Sequence, residues 1–111
     1  MIKFANDITF NSEVTSSELP VVVNFSAVWC MPCKAMGPMV DKVSTELESV
    51  VKVVKIDVDD SPNTAKSFSI RGVPTFIFFK EGKEVDRWVG ANKNEAAFKE
   101  KINSLLTQEI K

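Results

Sequence analysis

The sequence predicts an α/β domain: a mixed sheet with helices on both faces. Three observations carry that expectation. Val21-Val22-Val23-Asn24-Phe25 is a β-branched run, apolar on both faces apart from Asn24, as in a central strand covered from either side. Met36, Val40, Val43 and Leu47 then recur at i, i+4, i+7 and i+11, one face of a helix. A second β-branched run from Val51 to Val58 follows, giving a strand–helix–strand crossover with the two strands parallel. With 111 residues, 44% of them hydrophobic, residues 1–111 are expected to form a single domain, long enough for a core and too short for two.

In chain order, Ile2 to Phe4 reads as a short edge strand, and Asp7 to Ser17 as a short helix with loose ends that Leu19-Pro20 terminates. The long helix is expected from Met31 or Pro32 to about Val50. Pro32 sits in the first turn, where a missing N–H costs nothing, and Pro38 inside it beside Gly37 is expected to kink it. Asp59-Asp60-Ser61-Pro62 forms a turn that opens a short helix over Asn63 to Phe68. Thr75 to Phe79 and Glu84 to Val89 read as an antiparallel hairpin around Gly82. Asn92, with Glu95 three residues on, is expected to cap a last helix that buries Phe98, Ile102 and Leu105. The order β-α-β-α-β-α-β-β-α results.

Composition narrows the chemistry. The formal net charge is −1, which gives no reason to expect nucleic acid or an anionic membrane as partner. No apolar run approaches the ~18 residues of a membrane span, and the N-terminus lacks the pattern of a secretory signal. A cytoplasmic protein is expected, or an organellar one whose transit peptide has been removed. Histidine and tyrosine are absent, which removes Cys-His and Ser-His-Asp nucleophile pairs and histidine zinc sites. Two cysteines cannot close a four-thiolate zinc or iron–sulfur site within one chain, so no metal is expected.

Those two cysteines, Cys30 and Cys33, fall between the first buried strand and the long helix. At i and i+3 on a first helical turn, their Cα atoms can come within the ~4.4–6.8 Å a disulfide requires. So short a loop restrains little chain entropy, and such a bond in a reducing compartment is suited to being made and broken. Cys30, at the helix N-terminus, lies where unpaired N–H groups favour a thiolate. Cys33, one turn in, is expected to be more buried. Cys30 therefore reads as the attacking thiol and Cys33 as the resolving one.

Trp29-Cys30-Met31-Pro32-Cys33-Lys34, followed by Pro38, Arg71-Gly72-Val73-Pro74-Thr75 and Val89-Gly90-Ala91, resembles the thioredoxin family over nearly the whole chain. The resemblance implies five strands, four helices and a cis bond at Val73-Pro74 facing the cysteines. It implies a groove formed by Trp29, Met31, Pro32, Val73, Pro74, Gly90 and Ala91 that receives an extended segment of a substrate protein. It further implies a monomeric dithiol–disulfide oxidoreductase with no bound cofactor, reduced by NADPH through a flavoprotein thioredoxin reductase and acting on disulfide-containing proteins.

Three positions depart from the family pattern. Met31 stands where glycine is usual and places a flexible apolar side chain beside Cys30. Ser26 replaces a common aromatic residue and is expected to open space near the site. Asn24 stands where a buried aspartate, paired with a lysine matching Lys55, is thought to relay the proton of the resolving cysteine. An amide cannot titrate, so Cys33 is expected to lose its proton through water or Lys55, and Lys55 to reach solvent or another partner. Asn24 and Lys55, with Pro32 and Pro74, are the residues expected to tune the site.

Three other functions fit the same residues: an electron donor dedicated to one target, a non-redox binding or scaffold module using the groove, and a dimer bridging an iron–sulfur cluster through Cys30 and Cys33. Trp88, Met36 and Met39 read as packing residues.

Overall fold

The computed structural model describes residues 2–107. Five strands form one sheet: β1 (Ile2–Ala5), β2 (Val21–Ser26), β3 (Lys52–Asp57), β4 (Thr75–Lys80) and β5 (Lys83–Val89), in the order β1-β3-β2-β4-β5. β1, β3 and β2 run parallel, while β4 is antiparallel to β2 and β5. The four helical segments are a short π-helix (Asn11–Thr15), α1 (Met31–Glu46), α2 (Pro62–Ser67) and α3 (Glu95–Thr107). This is the mixed five-stranded α/β architecture expected from the sequence.

Strand alternation sorts the core into two layers. On one face Val22, Val53, Phe76 and Phe78 pack against Met36, Val40 and Val43 of α1 and Phe98, Ile102 and Leu105 of α3. On the other, Val21, Val23, Phe25, Ile56, Ile77 and Phe79 pack with Val14 of the π-helix, and Phe10 and Phe68 complete an aromatic cluster with Phe79. All six side chains of β2 are buried, as expected of a central strand that is apolar on both faces apart from Asn24 and Ser26. Trp88 packs on Phe76 and Phe98, and Met39 lies against the α1–α3 layer.

The helix expected over Asp7 to Ser17 is confined to the π-helix Asn11–Thr15, and the end of α1 and the cap of α3 also differ from the sequence reading. α1 ends at Glu46 rather than near Val50. Leu47 leaves helical dihedrals (φ −111°, ψ 16°), and although Val50 and Val51 would continue the apolar stripe, the chain turns there, burying Val51 and leaving Val50 exposed. The cap of α3 is Asn94, not Asn92. The Asn94 Oδ1 accepts from the Ala97 N–H at 3.0 Å, while Asn92 Oδ1 accepts the Asn94 N–H and shapes the turn before it. In the β4–β5 hairpin, Glu81 and Gly82 both take positive φ (52° and 77°), and a Cβ on Gly82 would stand 2.8 Å from the Thr15 carbonyl oxygen. The turn thus needs glycine for its backbone and for its close approach to the π-helix.

Asp7 ties the first loop to α2. Its Oδ1 accepts the Thr64 N–H (2.8 Å) and hydroxyl (2.7 Å), and its Oδ2 accepts the Asn63 N–H (3.2 Å). It serves as the cap that Ser61, whose side chain makes no capping bond, does not supply. The Thr64 hydroxyl above all holds the Asp7 carboxyl below its ordinary value. A lowered carboxylate pKa adds stability above the unfolded-state value near ~4 and loses it as pH falls through the lower folded value. Asp7→Asn is expected to reduce the urea midpoint at pH 7 and to flatten its decline between about pH 5 and 3. Midpoints that fall equally steeply with acid in both proteins would contradict this role.

Candidate active site

The loop after β2 carries the chain to α1 with Cys30 as the N-cap residue. Its backbone is extended (φ −87°, ψ 105°), and its Sγ accepts the Cys33 N–H at 3.2 Å. Pro32, in the first turn, removes a donor that would have no intrahelical partner. The Cα atoms of Cys30 and Cys33 are 5.3 Å apart, and the two are joined by a disulfide. A helix start with its N–H aimed at one sulfur favours negative charge on that sulfur once the bond is reduced.

Exposure does not separate the cysteines as the sequence reading expected. Cys30 is 3% exposed and Cys33 6%. Both pack with Ala27, and Val58 and Val73 close over them, so Cys30 is covered although it comes first on the helix. The distinction lies in partners. Cys30 Sγ holds the Cys33 N–H and lies 3.7 Å from the Val73 carbonyl oxygen.

The Val73-Pro74 bond is cis, and Pro74 is buried at the start of β4. The Pro74 carbonyl accepts the Gly90 N–H at 2.9 Å, which brings the end of β5 to the same side. Gly90 takes φ +94° with open space where a Cβ would stand, and Ala91 beyond it is exposed. Val73 lies just outside the ladder, whose pairing begins at Thr75. Trp29 and Met31, next to Cys30 in the chain, are 64% and 69% exposed, so apolar side chains stand in water beside the disulfide. The structure thus places Val73 against Cys30 and joins Gly90 to Pro74, the next residue, while Trp29, Met31 and Pro32 flank the cysteines in the chain.

Beneath the site, Asn24 is opposite Lys55 in the β2–β3 register. Asn24 is buried and its Oδ1 has no hydrogen-bond partner among the described residues. Lys55 is half-buried and lines a pocket of about 240 Å³ with Ser26, Ala27, Val28, Lys34 and Asp57. This is the space expected from serine at position 26.

A thioredoxin family model matches residues 1–104. The chain belongs to the thioredoxin family. It is 49% identical over 86 residues to the thioredoxin of Synechocystis, covering 78% of this chain and 80% of that one. It is 40% identical over 96 residues to the thioredoxin of Rickettsia typhi (86% and 91% covered) and 47% over 85 residues to that of Porphyra purpurea (77% and 79%). Like other thioredoxins, the protein is a dithiol–disulfide oxidoreductase, and its redox centre is the Cys30–Cys33 pair. Thioredoxins work without a bound cofactor; among the described residues no cluster of His, Cys, Asp or Glu is placed to hold a metal.

The sequence did not disclose three neighbours of this thioredoxin site. Asp59 Oδ2 accepts the Trp29 indole N–H at 2.7 Å, fixing an exposed ring from a loop thirty residues on. Val28 is 72% exposed and extends the apolar rim. Asp57 faces the pocket; alternation from Lys55 along β3 was the available signal for it.

Proposed function

We propose that Cys30 is the attacking thiol and Cys33 the resolving thiol in the reduction of protein disulfides, and that NADPH supplies the electrons through a flavoprotein reductase. The observation that carries the assignment is the Cys33 N–H directed at Cys30 Sγ at the start of α1. The Cys30 thiolate attacks one sulfur of the substrate disulfide; the other leaves as a thiolate and takes a proton from solvent. Cys33, as a thiolate, then attacks Cys30 Sγ, which re-forms the intramolecular disulfide and releases the second substrate thiol. Two electrons pass to the substrate, and two from NADPH restore the dithiol.

Substrate binding follows from the groove. The backbone of Val73 beside the cysteines offers a strand-like edge to an extended segment, and Gly90 leaves room for it. Trp29, Met31, Pro32, Pro74 and Ala91 supply apolar contact that makes little demand on sequence. Asn24 and Lys55 tune the resolving step from below. Such chemistry requires a reducing compartment, the cytoplasm or the interior of an organelle, and a monomer is sufficient for it.

The test is NADPH oxidation coupled to insulin-disulfide reduction, with a flavoprotein thioredoxin reductase present. Steady turnover that depends on all three components is expected. Turnover with dithiothreitol but none with NADPH and reductase would sink the proposed electron source while leaving the dithiol chemistry standing.

A further inference from the structure

The resolving step proposed above requires Cys33 to shed a proton in a covered site. The chain has no histidine or tyrosine to take it, and Asn24 cannot. Strand alternation places Asn24 and Ser26 on the same side of the sheet as Val22, and Lys55 and Asp57 on the same side as Val53. Val22 and Val53 pack under α1, so all four polar residues face the layer from which Cys33 descends. The register pairs Asn24 with Lys55 and Ser26 with Asp57. At this end of the strands lies the pocket of about 240 Å³. Its lining includes Ala27, which packs on both cysteines, and it extends to Asp57, whose side is open because position 26 is a serine.

A pocket of that size has room for several waters at ~30 Å³ each. Asn24, opposite the pocket-lining Lys55 in the register, has a buried Oδ1 with no partner among the described residues, and a buried acceptor left without a donor calls for water. The other charged groups facing the pocket are the Lys34 and Lys55 ammoniums, which have donors only. Asp57 is the one carboxylate in the lining. Its Oδ1 accepts the N–H groups of Asp59 (2.8 Å) and Asp60 (3.3 Å), and no bond among the described residues occupies Oδ2.

We propose that Asp57 accepts the Cys33 proton, through water held in the pocket that Ser26 opens, and so serves as the general base of the resolving step. The inference rests on the reading of Cys33 as the resolving thiol. The proton leaves Cys33 Sγ, crosses water to the Asp57 carboxylate and is returned to solvent. The Cys33 thiolate bonds to Cys30 Sγ, the Cys30–substrate bond breaks, and the departing sulfur takes its electron pair and then a solvent proton. Lys34 and Lys55 support the thiolate by their charge.

The experiment mixes reduced protein with a bis-nitrobenzoate disulfide and follows two releases of thionitrobenzoate by stopped flow. The first reports attack by the leading thiol and the second reports resolution. Asp57→Asn keeps an acceptor for the Asp59 and Asp60 N–H groups, so the turn that orients Trp29 is preserved. It is expected to leave the first release unchanged, to slow the second by roughly 10–100-fold, and to move its pH profile to the alkaline side. Ser26→Trp, which fills the pocket, is expected to slow the same step. Adding Asn24→Asp to Asp57→Asn is expected to restore it. A second release with wild-type rate and pH profile in Asp57→Asn would overturn the proposal. A fast first release from Cys30→Ser would instead overturn the order of the thiols, and with it a route that starts at Cys33.

Discussion

Cys30→Ser is expected to reduce insulin-disulfide turnover to the uncatalysed background, while Cys33→Ser keeps the attack and loses the release. A serine hydroxyl at position 30 presents no thiolate to a substrate disulfide, and the N–H of residue 33 cannot make it one. In Cys33→Ser the thiolate at Cys30 still attacks, but nothing on the helix can displace the substrate. The mixed disulfide should therefore accumulate and appear as a covalent adduct by non-reducing mass spectrometry. The asymmetry is the diagnostic result. Equal adduct yields from the two variants would show that the two sulfurs are interchangeable as nucleophiles. Both are nearly fully buried in the disulfide form, so accessibility alone would predict that equality. The difference expected here comes from the helix start, which acts on Cys30.

How far this site could be read in the sequence depends on the distance between the residues involved. The cysteine pair, its helix start and the strand before it are contiguous, and local rules located them. The Val21–Phe25 and Val51–Val58 runs became β2 and β3 because β-branched residues buried on both faces have few alternatives. Asn92 misled because its spacing to Glu95 matches a capping box. The chain instead uses Asn92 to shape a turn and Asn94, directly before the helix, as the cap. The Trp29–Asp59 bond joins residues thirty apart, through strand pairing that no local pattern encodes. The burial of Cys30 was hidden for the same reason, since Val58 and Val73 reach it from distant segments. Ser26 lies between these cases: its substitution was visible, but the carboxylate across the resulting pocket required the β2–β3 register.

Phe98→Ala is expected to cost about 3–5 kcal/mol, a large share of the roughly 5–15 kcal/mol that holds a domain of this size together. The ring is fully buried and lies 5.3 Å from that of Phe76 and 5.5 Å from that of Trp88. It fastens α3 to β4 and β5, the hairpin whose two ends carry Pro74 and Gly90 to the groove. Alanine would leave a cavity that three aromatic-lined elements cannot close without moving the hairpin. The thermal midpoint should fall by roughly 15–25 °C. At temperatures where the variant remains folded, Cys30 should nonetheless react with a small disulfide at the wild-type rate, because the apolar side chains packed on the cysteines, Ala27, Val58 and Val73, all lie outside α3. Slow reduction of protein substrates alongside normal reaction with the small disulfide would mean that the hairpin had shifted and taken the groove with it. A midpoint lowered by only a few degrees would show that the α1–α3 layer repacks freely, and the tight coupling of core to groove would be wrong.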